Sequence, residues 1–326
     1  MWKLRSMVLA AALLSAPAAI AEDRISFVTN WGSDFYSSAF MVDWAKKFNE
    51  EHKGVAQINY VGGPEVTPAR EQLSAMRNGV FDMMFGAAGY YVGQVPEGYV
   101  FYPTTWTPRS ARERGATHLL AAIYAEKANA ELLGWVASGV GYNLWLKDAD
   151  VPVDENGVPD LSGLKIRSSP LYNTWLQEMG ATVVPVPAPD IYSALERGVV
   201  DGAAWPALGV TDFGWNKFIG ARVDPKIWQF DNVLLVNKDR WDALSDETKA
   251  ALKESVAALE AEAHAHYEGL VEKEKATVEE GGTSAFALEG DAEAAYVGAA
   301  NDIMWNNLKE ASPEHYEALR AAFGGS

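Results

Sequence analysis

The chain has 326 residues, 48% of them hydrophobic, no cysteine, and a formal net charge of −17. A chain of this length can bury a large apolar core, so it needs no disulfides, and thiolate metal sites and cysteine nucleophiles are excluded. The negative charge repels nucleic acid and anionic membrane surfaces, but a diffuse, screened field says nothing about a ligand held by one buried cation.

The first 21 residues read as a targeting segment. Lys3 and Arg5 give a basic start, Met7 to Ala19 an apolar stretch, and Ala19-Ile20-Ala21 a small-x-small cleavage pattern. The apolar stretch is too short to remain as a membrane span, which takes about 20 residues. A signal peptide over 1–21 predicts an exported bacterial protein of the periplasm, and losing its two cations takes the net charge from −17 to −19.

Ile25 to Thr29 reads as a strand, with Trp31 directly after it as a possible aromatic wall of a cleft. Ser37 to Phe48 follows as an amphipathic helix, then Ala56 to Val61 as a strand and Gly62-Gly63-Pro64-Glu65 as a loop. Glu65 and the pair Tyr90-Tyr91, in loops after predicted strands, are candidates for the same cleft. Arg109, Arg112 and Arg114 read as a solvated helix face. Near Lys147 the chain passes into a second lobe through Asp148 to Asp160, a surface connection rich in Pro, Asp and Gly.

Leu161 to Pro206 reads as strand, helix, strand, helix, strand. Lys165 to Ser168 is a β segment, Pro170 opens a helix that runs to Gly180, and Thr182 to Val186 is β-branched. Pro189 then opens a helix closed by Gly198, before Val199 to Ala203. Parallel strands joined by crossover helices form an open sheet that binds ligands beyond the strand carboxyl ends, and Arg167 lies at such an end. An echo links the two halves: Ser74-Ala-Met-Arg-Asn-Gly-Val-Phe-Asp82 matches Ser193-Ala-Leu-Glu-Arg-Gly-Val-Val-Asp201 at Ser, Ala, Gly, Val and Asp. Two similar lobes, each offering strand ends to a shared cleft, are expected. Asp231 to Asn237 reads as the return strand, and Asp246 opens a helix with Leu252, Val256, Leu259, Ala263 and Leu270 on one face.

Four pieces of this pattern stand in the order and spacing of one family. They are Gly163 to Arg167 (G-L-K-I-R), the Met179-Gly180-Ala181 turn, Pro185-Val186-Pro187, and Tyr192 to Gly202 (Y-x-A-L-x-x-G-V-V-D-G). The chain resembles the solute-binding proteins of TRAP (tripartite ATP-independent periplasmic) transporters from about Ile25 to its C-terminal helices. The resemblance implies an α/β fold of two lobes, each an open α/β sheet, with the ligand cleft between them. It places 22–146 with 233–272 in lobe I, and 147–232 with 273–326 in lobe II. It also implies an organic acid as ligand, a membrane permease of large and small subunits as partner, hinge closure, and no cofactor.

The family's ligand-carboxylate arginine corresponds to Arg167, whose planar fork of donors matches a carboxylate. Many binders of acyclic acids in the family have asparagine where Trp205 stands. Many also carry a second arginine near Gly141, Tyr142 and Asn143, so Asn143 is a candidate contact for a second polar group. One arginine beside a tryptophan favours a monocarboxylate with an aromatic or apolar body over short dicarboxylates. Keto-acid binders of the family place a glutamate before the tryptophan to help hold a cation; Ala204 stands there, and no bound metal is expected.

No G-x-S-x-G, G-K-[ST] or H-E-x-x-H pattern occurs, and His264 and His266 point apart on their helix. The alternative from another class is a periplasmic enzyme acting on an organic acid, with Glu65 or Asp190 as general base. A C4-dicarboxylate or keto-acid receptor is the alternative within the family.

Overall fold

The computed structural model describes residues 22–136 and 138–324, so the proposed signal segment lies outside the described residues. Eleven strands form two sheets. In lobe I, β1 (Asp23–Thr29), β2 (Ala56–Gly62), β3 (Met83–Ala87), β4 (Ala130–Trp135) and β10 (Asn232–Asn237) stand in the order β2-β1-β3-β10-β4. In lobe II, β5 (Tyr142–Leu146), β6 (Lys165–Ser168), β7 (Thr182–Pro185), β8 (Gly202–Pro206), β9 (Ala221–Asp224) and β11 (Ser284–Ala287) stand in the order β11-β9-β5-β8-β6-β7.

Helices α1 (Tyr36–Glu51), α2 (Gln72–Arg77), α3 (Pro108–Glu113) and α4 (Ala116–Ala128) belong to the first pass through lobe I, and α5 (Asn173–Glu178) and α6 (Ile191–Glu196) to lobe II. Then come α7 (Lys238–Ala243), α8 (Asp246–Glu280), α9 (Gly290–Ala311) and α10 (Pro313–Phe323).

The echo in the sequence is a repeated device. β1 runs parallel to β2 and β3, and β6 runs parallel to β7 and β8, so each lobe carries the same three-strand parallel unit. Each unit turns into its third strand through a left-handed glycine, Gly79 (φ 74°) or Gly198 (φ 68°), a conformation a β-carbon would oppose. The aspartate that ends each turn ties it to the central strand. Asp82 accepts from the Ser26 amide at 2.7 Å, and Asp201 accepts from the Lys165 amide at 2.9 Å.

Two expected boundaries move. The third strand of lobe II starts at Gly202 rather than Val199, because Val199 and Val200 still belong to the turn. The helix expected from Pro170 begins at Asn173, leaving Leu171 and Tyr172 in a turn that faces the other lobe.

The division between lobes also differs from the expectation. β5 pairs with β8 and β9, so Tyr142 to Leu146 belongs to the lobe II sheet and the crossing precedes Tyr142. The C-terminal helices are not simply part of lobe II. α9 packs on Pro96–Phe101 of lobe I and on α5 of lobe II, and α10 packs on α4. α8 serves both lobes: Ser255 accepts from the Trp44 indole of lobe I at 2.9 Å, while Glu274 accepts from the Thr211 amide of lobe II at 2.8 Å. Leu252, Val256, Leu259 and Ala263 are buried along it and Leu270 is half-buried, as helical periodicity requires. His264 meets Ser138 at 2.9 Å while His266 stacks on Phe40, so the two rings do point apart.

Glu97 clasps α10 to lobe I. It is fully buried and its carboxylate takes Lys127, Ser312 and His315 as donors. Burial alone would raise its pKa, but these three partners together hold it below the usual carboxylate range. The clasp therefore contributes stability above that range and loses it as pH falls. Replacing Glu97 by alanine removes the buried acceptor and leaves Lys127, Ser312 and His315 with the exposed Glu314; we expect a loss of about 1 to 3 kcal/mol in unfolding free energy by urea denaturation at neutral pH. The loss should shrink in acid.

Candidate functional site

Arg167 leaves the carboxyl end of β6, the central strand of the lobe II unit, and is 0% exposed. Its neighbours on both sides are parallel, so their carbonyl ends reach it together. Nε donates to Val186 O at 3.0 Å and Nη1 to Ala204 O at 3.3 Å. These two bonds fix the plane of the guanidinium, whose carbon lies 5.1 Å from the centroid of the Trp205 ring. Nη2 is buried without a hydrogen-bond partner among the protein atoms. Among the described residues no carboxylate lies within ion-pair distance of Arg167, and burial accordingly lowers its proton affinity.

The lobes meet over this residue. Phe35 of lobe I contacts Phe213 of lobe II with ring centroids 5.1 Å apart, and the Tyr36 amide donates to Asp212 at 3.3 Å. Beneath that contact lie two chambers that share Trp31, Tyr90 and Arg167. The outer one, about 290 Å³, adds Arg70, Pro187 and Phe213 to its walls. The inner one has only about 20 Å³ and adds Tyr142, Tyr172, Trp205 and Asp231.

Trp31, Tyr90, Arg167 and Trp205 are thus brought together as the sequence suggested. The Trp31 and Tyr90 rings are 6.1 Å apart, and burial pushes the Tyr90 hydroxyl pKa up. The Trp205 indole donates to Leu208 O at 2.9 Å, which leaves its ring to face Arg167.

Glu65, Tyr91, Asn143 and Asp190 are not brought there. Glu65 turns back on its own loop and accepts from the Gly63 amide at 2.6 Å. Tyr91 is packed in the second core of lobe I against Tyr124. Asp190 is exposed in the turn that opens α6. Asn143 fails by one residue: side chains alternate along β5, so Tyr142 enters the inner chamber while Asn143 points through the sheet to Val223 O at 2.8 Å.

The sequence reading also missed a second cation. Arg70, from the loop after β2 rather than from the strand leaving lobe I, lines the outer chamber. The expectation of a single arginine at the cleft is corrected accordingly.

Two larger or comparable cavities lie elsewhere, about 500 Å³ between α1 and α8 and about 300 Å³ behind the lobe II sheet. The arginine of the latter, Arg222, is already paired with Asp224 at 2.7 Å and Glu279 at 2.9 Å, which sets it apart from Arg167.

The model of the bacterial extracellular solute-binding proteins, family 7, matches residues 27–310. The chain belongs to this family. A monocarboxylate 2-oxoacid-binding periplasmic protein of Nostoc is 27% identical over 250 residues, which cover 73% of this chain and 66% of that relative. A Bordetella pertussis extracytoplasmic solute receptor binding pyroglutamic acid superposes with a TM-score of 0.80 at 16% identity, covering 93% of this chain and 99% of that one. A marine metagenome TRAP solute-binding protein specific for aromatic acid ligands superposes with a TM-score of 0.73 at 20% identity, covering 93% and 100%. These likenesses establish the two-lobed fold.

In this solute-binding protein the floor of the cleft also ties the two lobes together. Asp231 stands on the second crossing segment, is fully buried, and lines the inner chamber. Its carboxylate accepts from the Gly89 amide at 2.6 Å and from the hydroxyls of Tyr102 in lobe I and Tyr142 in lobe II. Burial raises its pKa against these three donors. Sequence offered no signal for this role, because an aspartate before a buried strand looks like any turn residue. Asp231→Asn turns an amide donor toward hydroxyl and amide donors; we expect a cost of about 1 to 3 kcal/mol in unfolding free energy by chemical denaturation, with Asp231→Glu no better because the longer side chain has only the inner chamber of about 20 Å³ to enter.

Proposed function

We propose that the chain is the extracytoplasmic receptor of a TRAP transporter, which captures an organic carboxylate between its lobes and delivers it to a membrane permease. Arg167 carries this reading: a fully buried guanidinium with a free donor on a cavity wall calls for an anion. A carboxylate bound there would take one or two charge-assisted hydrogen bonds, each contributing about 1.5 to 3 kcal/mol. Trp31, Tyr90, Trp205 and Phe213 supply aromatic surface around it, which suits an acid with a flat or apolar body. The 2-oxoacid, pyroglutamate and aromatic-acid ligands of the proteins described above share a carboxylate next to a compact body.

Neither Glu65 nor Asp190, the general bases that an enzymatic reading would use, faces the chambers. Capture and release need only hinge motion. Residues 1–21 would direct export, and among the described residues no helix is long and apolar enough to cross a membrane, which fits a receptor that works with a separate permease.

Arg167→Ala should leave the fold intact and weaken carboxylate binding by at least about 2 kcal/mol in calorimetry, whereas Arg167→Lys recovers little because an ammonium cannot form the planar fork. Near-native affinity in the alanine variant would remove Arg167 from the site. Saturating ligand should also reduce the radius of gyration in small-angle scattering, since the ligand stabilises the contact of Phe35 with Phe213. A bound ligand with an unchanged scattering profile would argue against closure.

A further inference from the structure

The cavity of about 300 Å³ behind the lobe II sheet lies between the outer face of β5 and β9 and the side of α8. Trp145 of β5 and Arg222 of β9 are cross-strand partners, so their side chains share this face, while Tyr142 points through to the cleft. Arg222 is 3% exposed. Asp224 accepts from its Nε at 3.0 Å and its Nη2 at 2.7 Å, and Glu279 accepts from Nη2 at 2.9 Å. Asn143, also on this wall, steadies Asp224 with a hydrogen bond of 3.1 Å. The two acids answer the charge of Arg222 but not all of its donors. Nη1, which carries two N–H groups, is buried without a partner.

Two further cations stand on the same walls. Lys226 Nζ donates to Gly139 O at 2.5 Å, which leaves two of its three hydrogens free. Among the described residues no carboxylate lies within ion-pair distance of Lys226 or of Lys275, and Glu272 is the one lining acid not already bonded to Arg222. In a chain of net charge −17, this cavity therefore carries a surplus of hydrogen-bond donors. A water molecule satisfies one buried N–H, but three cationic groups around one cavity match a ligand that presents several acceptor oxygens together.

We propose that this cavity is a second ligand site, separate from the cleft, which takes a small oxyanion, a carboxylate or a phosphate, on Arg222 Nη1, Lys226 and Lys275. Its volume, near the lower end of the roughly 300–1,000 Å³ typical of ligand sites, limits the occupant to a compact molecule. An occupant held by Arg222 and Lys275 joins β9 to α8, the helix anchored in both lobes. The proposal does not depend on what Arg167 binds.

The test is calorimetry of the mature Arg167→Gln protein at low ionic strength, with inorganic phosphate and acetate as separate probes, so that the cleft arginine takes no part. At least one probe should bind in one equivalent, and the one that binds more tightly shows whether the natural oxyanion is a phosphate or a carboxylate. Adding Lys275→Glu should weaken that binding about tenfold or more, and Lys226→Gln about threefold. Arg222→Lys keeps a cation beside Asp224 and Glu279 while removing Nη1, and should weaken it about tenfold; if that variant fails to fold, the two lysine variants decide. Absence of binding by both probes, or binding that the lysine variants leave unchanged, overturns the proposal. Neither result touches the carboxylate site of the cleft, which Arg167→Ala tests on its own.

Discussion

The charge of Arg167 is the constraint on which the rest of the cleft depends. A guanidinium removed from water costs several kcal/mol even after relaxation, and backbone carbonyls recover part of that cost only. The protein supplies Val186 O, Ala204 O and the face of Trp205, and no carboxylate. Arg222, in the same lobe, shows the other solution, a guanidinium neutralised by two acids, with Nη1 alone left without a partner. The arrangement around Arg167 is therefore under-compensated by the surrounding strands, and an anion that completed it, as proposed, would stabilise closure relative to opening. That difference in affinity between the two arrangements is what a receptor requires, since a ligand shifts a conformational equilibrium only by its differential binding.

The repeated β-sheet unit explains how two lobes present their sites to each other. In both, the central strand is flanked by parallel neighbours and the third strand follows a left-handed glycine turn closed by an aspartate. Strand carboxyl ends in each lobe then point to one side, and Trp31, Tyr90, Arg167 and Trp205 all issue from such ends or just past them. The antiparallel strands β5 and β10 carry the chain from one lobe to the other and lie beside the third strand of each unit.

Much of this geometry was legible because periodicity and turn chemistry are local. The parallel unit around Arg167 followed from β-branched runs between Gly and Pro, and the family-like motif fixed which arginine mattered. What failed was the choice between adjacent or nearby residues. Tyr142 and Asn143 differ by one position on a strand, and only the register of β5 against β8, set by contacts some 60 residues away, decides which faces the cleft. Tyr90 and Tyr91 differ in the same way, one on the chamber wall and the other in the lobe I core. Glu65 was lost to a local bond with Gly63, and Arg70 was hidden because an exposed arginine beside a glutamate reads as a solvated surface.

The junction between the lobes is heavily bonded. Asp231 holds donors from both lobes at one point, and Trp228, three residues earlier, has a left-handed backbone (φ 55°) that a bulky side chain resists. Its indole donates to Ala300 O at 2.9 Å and its ring stacks on Tyr172, so the strained turn is over-determined by α9 and by the cleft wall. α8 runs for 35 residues, about 50 Å, with polar anchors in each lobe. A simple separation of the lobes would break those anchors together with the Asp231 cluster. At the mouth, by contrast, the lobes meet through side-chain contacts such as Phe35 with Phe213 and the 3.3 Å hydrogen bond from the Tyr36 amide to Asp212. The densest polar bonding between the lobes therefore lies at the floor, around Asp231, while Arg167 is oriented by the strand ends of lobe II alone.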